Sequence, residues 1–241
     1  MRKTTQFICI AGLCLILSAG LFLQCSERNA SQLSDKEWDA LPADGPTLSA
    51  FERVSFGSGA TKSERYAAAE FAKLFKAFTG KELVLDSTNS QREKSILIGA
   101  EAAAAAGRPA NTDTMGEEGF AIDIALDRIA IYGGRPRGTL YGVYEFFEKY
   151  CRVRYLTHDH TFFPAAGKEP DFQIKGCSYR YDPPFAFRWS YYGETNRNTA
   201  FAAQLHTNTV GGPEEFGGIT GYRLVGHNVA YLVPPAVYGK E

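Results

Sequence analysis

The chain has 241 residues, 44% of them hydrophobic and 22% charged, with a formal net charge of −1. These values are typical of a globular protein, and the length allows one large domain or one complete domain and part of another. The sequence has no basic block, so it offers no electrostatic support for a nucleic-acid partner. Aromatic residues make up 13% of the chain. This share is consistent with sugar binding, but an ordinary hydrophobic core is the favoured explanation.

The first residues have the pattern of an export signal. Two positive residues precede an uncharged apolar run over 7–23, and Cys25 follows directly after Gln24. A cysteine in this place resembles the lipidation site of bacterial lipoproteins, although a small residue usually stands where Gln24 does. We therefore expect a signal segment over 1–25, with Cys25 carrying the lipid; an uncleaved anchor is the alternative. Both predict export and attachment to a membrane of the bacterial cell envelope, in the periplasm or at the cell surface.

A tether and a helix are predicted next. Polar and turn-forming residues over 26–46 predict a flexible tether ahead of the folded part. The segment 61–80 is the clearest helix, because Thr61 and Glu64 match a capping box and apolar residues follow at helical spacing. Gly80 is well placed to end this helix.

Residues 47–166 are predicted to form a small α/β (α+β) unit. Its expected strands lie at 82–86, 95–99, 118–125, 128–133 and 153–156, its helices at 61–80, 100–107 and after residue 133. The strands at 118–125 and 128–133 are close enough to form a hairpin. Gly138 and Gly142 would let the helix after residue 133 approach the sheet closely. The pattern favours a mixed sheet with helices packed on one face.

Residues 167–241 have a different composition. A connector is followed by a predicted strand at 187–192, a helix at 198–206 and a second strand from residue 207. This series looks like the start of a larger α/β domain, so the chain looks like a fragment of a longer protein.

The most specific resemblance to a known family lies in residues 118–164. This stretch contains EGFAIDI, DRIAIYGG and GTLYGVYEFFEKY in that order. It resembles the N-terminal domain of α-glucuronidases of glycoside hydrolase family 67. It is also similar to bacterial lipoproteins with the domain DUF4838 and to the small domain of family 20 hexosaminidases. In such enzymes a (β/α)8 barrel with acidic catalytic residues follows. The resemblance implies that 167–241 begin this barrel and that the catalytic carboxylates lie beyond the C-terminus.

The barrel analogy selects four substrate-binding candidates: Arg188, Trp189, Glu194 and His227. Arg188 and Trp189 lie on the predicted first barrel strand, where an arginine could hold a uronate carboxylate by paired hydrogen bonds. A structural salt bridge is the alternative for Arg188. Glu194 follows that strand, and His227 lies in a glycine-rich loop. For His206, a place at a helix end is favoured.

No catalytic residue is assigned within the chain. Glycoside hydrolysis needs two carboxylates around one bond, and Asp182, Glu194, Glu214 and Glu215 are not expected to supply them.

Metal and cofactor sites are not expected. His158 and His160 offer at most half a metal site, so a solvated loop is favoured, and no phosphate- or dinucleotide-binding motif indicates a cofactor. Cys151 and Cys177 could form a disulfide or remain buried thiols.

The segment GGRPRG at 133–138 has the look of an anion-binding loop. Pro136 removes a backbone N–H that a phosphate cradle would use. Arg135 and Arg137 are therefore expected to face solvent or the neighbouring domain.

The sequence thus predicts the N-terminal part of an exported α-glucuronidase-like glycoside hydrolase that acts in xylan breakdown. The expected partners are a carbohydrate, such as a uronic-acid-bearing oligosaccharide, and a membrane through the lipid anchor. A non-catalytic surface glycan-binding lipoprotein is the first alternative, and a purely structural domain is the second. Whether this chain is itself an enzyme stays open.

Overall fold

A six-stranded mixed sheet forms the centre of the fold. The structure, a computed structural model, describes residues 34–88, 94–105, 107, 112–207, 212–218 and 233–239. Its strands are β1 (Arg53–Phe56), β2 (Val84–Asp86), β3 (Ser95–Ile98), β4 (Phe120–Ala125), β5 (Arg128–Gly133) and β8 (Ser178–Tyr181). They lie in the order β2-β1-β3-β5-β4-β8 across the sheet. A separate hairpin joins β6 (Arg154–Thr157) and β7 (His160–Phe162). The predicted signal segment with Cys25 lies outside the described residues.

Seven α-helices occur in the described part of the chain. They are α1 (Asp35–Ala40), α2 (Lys62–Thr79), α3 (Ala100–Ala105), α4 (Gly138–Cys151), α5 (Gly193–Arg197), α6 (Thr199–Gln204) and α7 (Pro235–Tyr238). Short 3₁₀ turns lie at Leu48–Ala50, Ala165–Lys168 and Glu214–Phe216. Within the described ranges, no helix is both long enough and apolar enough to cross a membrane.

The strand directions explain the mixed sheet. β1 is parallel to β2 and β3, and β3 is parallel to β5. β4 runs antiparallel to β5, which confirms the predicted hairpin. β8 pairs antiparallel with β4, so the sheet takes a strand from beyond residue 166, where the sequence analysis ends the α/β unit.

Both faces of the sheet are covered. Side chains alternate between the faces of a strand, and isoleucines of β3, β4 and β5 join the core that α2 and α4 cover. The opposite face carries Leu97, Ala121, Ala130 and Tyr132, which pack against Ala102 and Ala103 of α3. The prediction of helices on one face alone is therefore wrong for α3. Small alanines on both partners allow this short helix to approach the second face.

Local signals fix the ends of α2 as predicted. The Thr61 side chain accepts from the Glu64 N–H, and the Glu64 carboxylate accepts from the Thr61 N–H, which completes the capping box. Gly80 ends the helix in the left-handed conformation with φ +80°, where a residue without Cβ has no steric penalty.

The predicted tether over 26–46 differs from the structure in its second half. α1 begins after Ser34, which forms a capping box with Glu37. Trp38 on this helix is only 7% exposed and meets the Tyr150 ring edge-on at 5.0 Å. Burying an indole stabilises a core strongly, so these residues belong to the folded unit.

The C-terminal half differs from the predicted barrel start. Residues 187–192 form no strand. The predicted helix over 198–206 is present as α6 (Thr199–Gln204), whereas the predicted second strand lies mostly at 208–210, outside the described residues. The barrel start stays a prediction.

The two cysteines are separate thiols. Cys151 and Cys177 are both buried and free. The Cys177 Sγ lies 3.3 Å from the Tyr150 hydroxyl oxygen, and burial raises the pKa of the Cys151 thiol well above its usual range. Of the two alternatives, the structure therefore has buried thiols.

Helix α4 lies unusually close to the sheet, as its glycines predict. A Cβ at Gly142 would lie 2.8 Å from the Ile131 Cγ2, and one at Gly138 would overlap the Gly119 carbonyl oxygen. Backbone atoms cannot yield as a flexible side chain can.

We predict that Gly138→Ala lowers the free energy of unfolding by about 3 kcal/mol, because overpacking against rigid neighbours costs about this much. Urea denaturation measures the change. The matched control is Gly193→Ala, whose Cβ would meet no atom closer than 3.6 Å; it should stay within about 0.5 kcal/mol of the wild type. Equal stability of the two variants would contradict the close packing of α4.

Candidate functional site

A buried carboxylate between two guanidinium groups joins the two halves of the chain. Glu118, two residues before the start of β4, is 7% exposed. Its Oε1 accepts from Arg137 Nε at 2.9 Å, and its Oε2 accepts from Arg188 Nη2 at 2.5 Å. Ionised pairs of this geometry form strong hydrogen bonds. We call these three residues the Arg–Glu–Arg cluster.

Arg188 is used by the protein itself. Besides Glu118, it donates from Nε and Nη2 to the His206 carbonyl at 3.0 and 2.8 Å, and from Nη1 to the Phe185 carbonyl at 2.7 Å. A guanidinium has five N–H groups, and a uronate carboxylate would need two of them for a paired grip. The arrangement therefore favours the structural salt bridge that stood as the alternative for this residue.

Arg137 and Arg135 differ in exposure. Arg137 is only 2% exposed, so of its two expected places, solvent and the neighbouring domain, solvent is excluded. It instead meets the second half of the chain, because its Nη1 donates to the Gly218 carbonyl at 3.3 Å and its side chain packs under Gly217. Arg135 is half-exposed and pairs with Glu64 at 3.2 Å.

A cleft of about 310 Å³ opens beside the Arg–Glu–Arg cluster. Asp182 and Phe185 also line it. Asp182 accepts from the Gly116 N–H at 3.2 Å. Glu118 accepts from two guanidinium groups, one at each carboxylate oxygen. These two carboxylates are thus held in place by the protein.

Exposed aromatic rings continue from the cleft over residues 185–192, which we call the aromatic segment. Phe185 is 70% exposed, Tyr191 65% and Tyr192 81%. The Trp189 and Tyr191 rings lie 4.5 Å apart at 57°, and the Trp189 Nε1 donates to the Asn196 Oδ1 at 2.6 Å. The segment offers apolar ring surface to solvent in a fixed arrangement.

Glu194, in the first turn of α5, anchors the end of the aromatic segment. Its Oε1 accepts from the His158 N–H at 2.9 Å and lies 3.1 Å from the His158 Nδ1. The backbone hydrogen bond from His158 is the main cause that lowers the pKa of Glu194. This carboxylate therefore suits an acceptor rather than a proton donor. His227, the fourth candidate, lies outside the described residues.

His206 lies just after α6, as its predicted place at a helix end requires. Its carbonyl accepts from Arg188, while its ring stacks on Tyr141 at 5.2 Å and 28°. The His206 Nδ1 lies 4.0 Å from the Glu145 Oε2, and its buried Nε2 has no hydrogen-bond partner among the described residues. Burial, and then the charge of Arg188, lower the pKa of His206 to about 4.

The remaining acidic and histidine candidates are spread over the surface. Glu214 is exposed and pairs with Lys62 at 2.5 Å. His158 and His160 lie exposed at the β6–β7 turn, in line with the solvated loop that the sequence favours. Within the described ranges, no group of three or more His, Cys, Asp or Glu side chains could hold a metal ion.

Sequence reasoning missed the Arg–Glu–Arg cluster and the Glu145–His206 contact. Glu118 and Arg188 are 70 positions apart, and no spacing or motif links them. The only local signal was that Glu118 stands at the start of an apolar strand, where a buried charge needs a partner.

The fold and site together define a small α/β domain whose sheet is joined to an aromatic-rich C-terminal segment. Residues 29–146 match the family model "Glycosyl hydrolase family 67 N-terminus". The match supports a glycosyl hydrolase family 67 N-terminal domain in this part of the chain.

Two solved structures are similar to the chain at low identity. One is the GH20 beta-N-acetylhexosaminidase from Streptomyces coelicolor A3(2), with a TM-score of 0.42 and 15% identity, over 61% of this chain and 25% of that chain. The other is a mutant Streptomyces plicatus beta-hexosaminidase in complex with its product GlcNAc, with a TM-score of 0.37 and 15% identity, over 61% of this chain and 29% of that chain. The matched part thus spans between a quarter and a third of each hexosaminidase chain. A search of curated proteins gave no match.

We predict that His206 makes the protein less stable in mild acid. The ordinary pKa of His206 is 6.5, and its pKa in the fold is about 4. Between these values the unfolded chain binds a proton that the folded chain does not. The contribution of His206 to the free energy of unfolding is therefore complete above pH 6.5. It falls by up to about 3 kcal/mol as the pH falls towards 4.

In the variant His206→Asn this fall of the free energy of unfolding with pH should disappear, because the variant lacks the titrating group. Burial raises the pKa of Glu145, which acts in the opposite sense and is present in both proteins. Urea unfolding at pH steps from 7 to 4 measures the difference between the two proteins. If the free energy of unfolding changed equally with pH in the two proteins, His206 would not be a buried neutral imidazole.

Proposed function

We propose that the chain is the N-terminal part of an exported, lipid-anchored glycoside hydrolase of the α-glucuronidase type. The match of residues 29–146 to the glycosyl hydrolase family 67 N-terminus carries this proposal. The apolar leader followed by Cys25 supports export and lipid attachment. The proposed substrate is glucuronic-acid-decorated xylan, and residues 167–241 are proposed to begin the barrel.

The catalytic carboxylates are proposed to lie outside this chain. A glycosidase needs one carboxylic acid that carries a proton and a second carboxylate across the scissile bond. Glu118 already accepts from two guanidinium groups, and the pKa of Glu194 is lowered rather than raised. A general acid needs a raised pKa, so Glu194 does not have the environment of one.

A non-catalytic glycan-binding lipoprotein is the second candidate. The exposed rings of the aromatic segment favour it, because sugar binding through such rings needs no catalytic group. Both candidates include a carbohydrate ligand, and they differ in whether a glycosidic bond is broken.

We predict that the purified chain releases no glucuronic acid from aldouronic acids and no nitrophenol from aryl glycosides above the rate without protein. A form extended by any coding sequence that follows Glu241 should release glucuronic acid from aldouronic acids. Chromatography of the products measures both. Enzyme-like release by the chain alone would contradict the proposal that the catalytic carboxylates lie outside this chain. Glycan binding without release by the extended form would favour the second candidate.

A further inference from the structure

We propose that the rings of Trp189 and Tyr191 form a stacking site for the pyranose rings of a neutral oligosaccharide. This inference deepens the proposed function, since it rests on that function for a carbohydrate ligand and adds the residues and the ligand charge. We call the two rings the ring pair.

Exposure is the first observation. Within eight residues, the aromatic segment leaves Phe185, Tyr191 and Tyr192 more than half exposed. The other described aromatic rings lie mostly in the core, where clusters around Phe71 and Phe146 bury them fully. Exposed apolar surface that is concentrated in one segment is a common mark of an interaction site.

The geometry of the ring pair is the second observation. The two rings lie 4.5 Å apart at 57°, so they form an angled surface rather than a closed stack. Asn196 holds the polar edge of Trp189 through its Nε1. The indole is therefore fixed in orientation by its polar edge, while it remains partly exposed.

The backbone that carries the ring pair is also fixed. On one side, Arg188 binds two separate parts of the chain through Glu118 and the His206 carbonyl, and it also donates to the Phe185 carbonyl within the aromatic segment. On the other side, Glu194 accepts from His158. Because the rings are held before a ligand arrives, binding loses less conformational entropy than it would on a loose loop.

The surrounding charge selects a neutral ligand. Glu194 stays ionised because hydrogen bonds from His158 lower its pKa, and the Arg197 guanidinium lies over Gly193 in the same turn. Arg188, the residue before Trp189, is paired with Glu118. Glu194 offsets the charge of Arg197, so these groups add no excess positive charge that would attract a uronate. Apolar ring faces beside amide and hydroxyl groups of Asn196 and Thr195 match the C–H face and the hydroxyls of a pyranose.

The test is titration of the purified chain with xylohexaose and cellohexaose, followed by calorimetry and by tryptophan fluorescence. The chain has two tryptophans, and Trp38 is 7% exposed, so a change in emission on binding reports Trp189. We expect Trp189→Ala and Tyr191→Ala each to weaken binding about tenfold. Trp189→Phe should keep most of the affinity and lose the fluorescence signal.

Phe162→Ala is the matched control. Phe162 is an aromatic residue that is 49% exposed on β7, and its removal should leave the affinity unchanged. Urea unfolding of each variant shows whether it is folded. Trp189→Phe retains a ring in the site and tests the inference even where Trp189→Ala unfolds.

Three results would overturn the inference. The first is no binding of either hexasaccharide at about 10 mM. The second is wild-type affinity in folded Trp189→Ala. The third is self-association that Trp189→Ala abolishes without any sugar binding, which would make the ring pair a protein interface. Binding of aldouronic acids that does not depend on Trp189 would show that the ring pair is not the binding site. That result would leave the proposed function intact.

Discussion

The carboxylate of Glu118 sits between the guanidinium groups of Arg137 and Arg188 with almost no access to water. Removing charges from water is costly, and the cost is offset only when every member of the cluster keeps its partners. Glu118 precedes β4, Arg137 precedes α4, and Arg188 lies in the aromatic segment. The cluster therefore requires the sheet, the second long helix and the C-terminal segment to be in place together.

This requirement connects the fold to the proposed binding surface. The close approach of α4 to the sheet positions Arg137, since a side chain at Gly138 would overlap the Gly119 carbonyl. Arg188 is then fixed from the sheet side by Glu118 and from α6 by the His206 carbonyl. Trp189 is the next residue in the chain, so its backbone is held in place as well. A sheet that is ordinary in itself thus presents aromatic rings to solvent in a defined geometry.

Sequence reasoning predicted the elements whose signals are local. The capping box of Thr61 and Glu64 and the stop at Gly80 defined α2, and the alternation of isoleucines defined the β4–β5 hairpin. Its choice of Trp189 as a binding candidate stays a prediction. The same kind of signal was overlooked at Ser34 and Glu37, whose capping box starts α1.

The features that could not be predicted from the sequence depend on contacts between residues far apart in the chain. The packing of α3 on the second face of the sheet and the pairing of β8 with β4 follow from contacts between remote segments. The burial of Arg137 depends on Glu118 and on Gly217 and Gly218. An arginine beside glycines has the same local pattern whether it faces water or a buried carboxylate.

The most direct test of this account is time-resolved fluorescence anisotropy of Trp189, made the sole tryptophan by Trp38→Phe. We predict a decay dominated by overall tumbling when Glu118 is present. With Glu118→Gln in the same background, a fast component on the nanosecond scale or below should appear, because the aromatic segment loses its charged anchor. Identical decays in the two folded proteins, or a dominant fast component with Glu118 present, would contradict the claim that the Arg–Glu–Arg cluster fixes the aromatic segment.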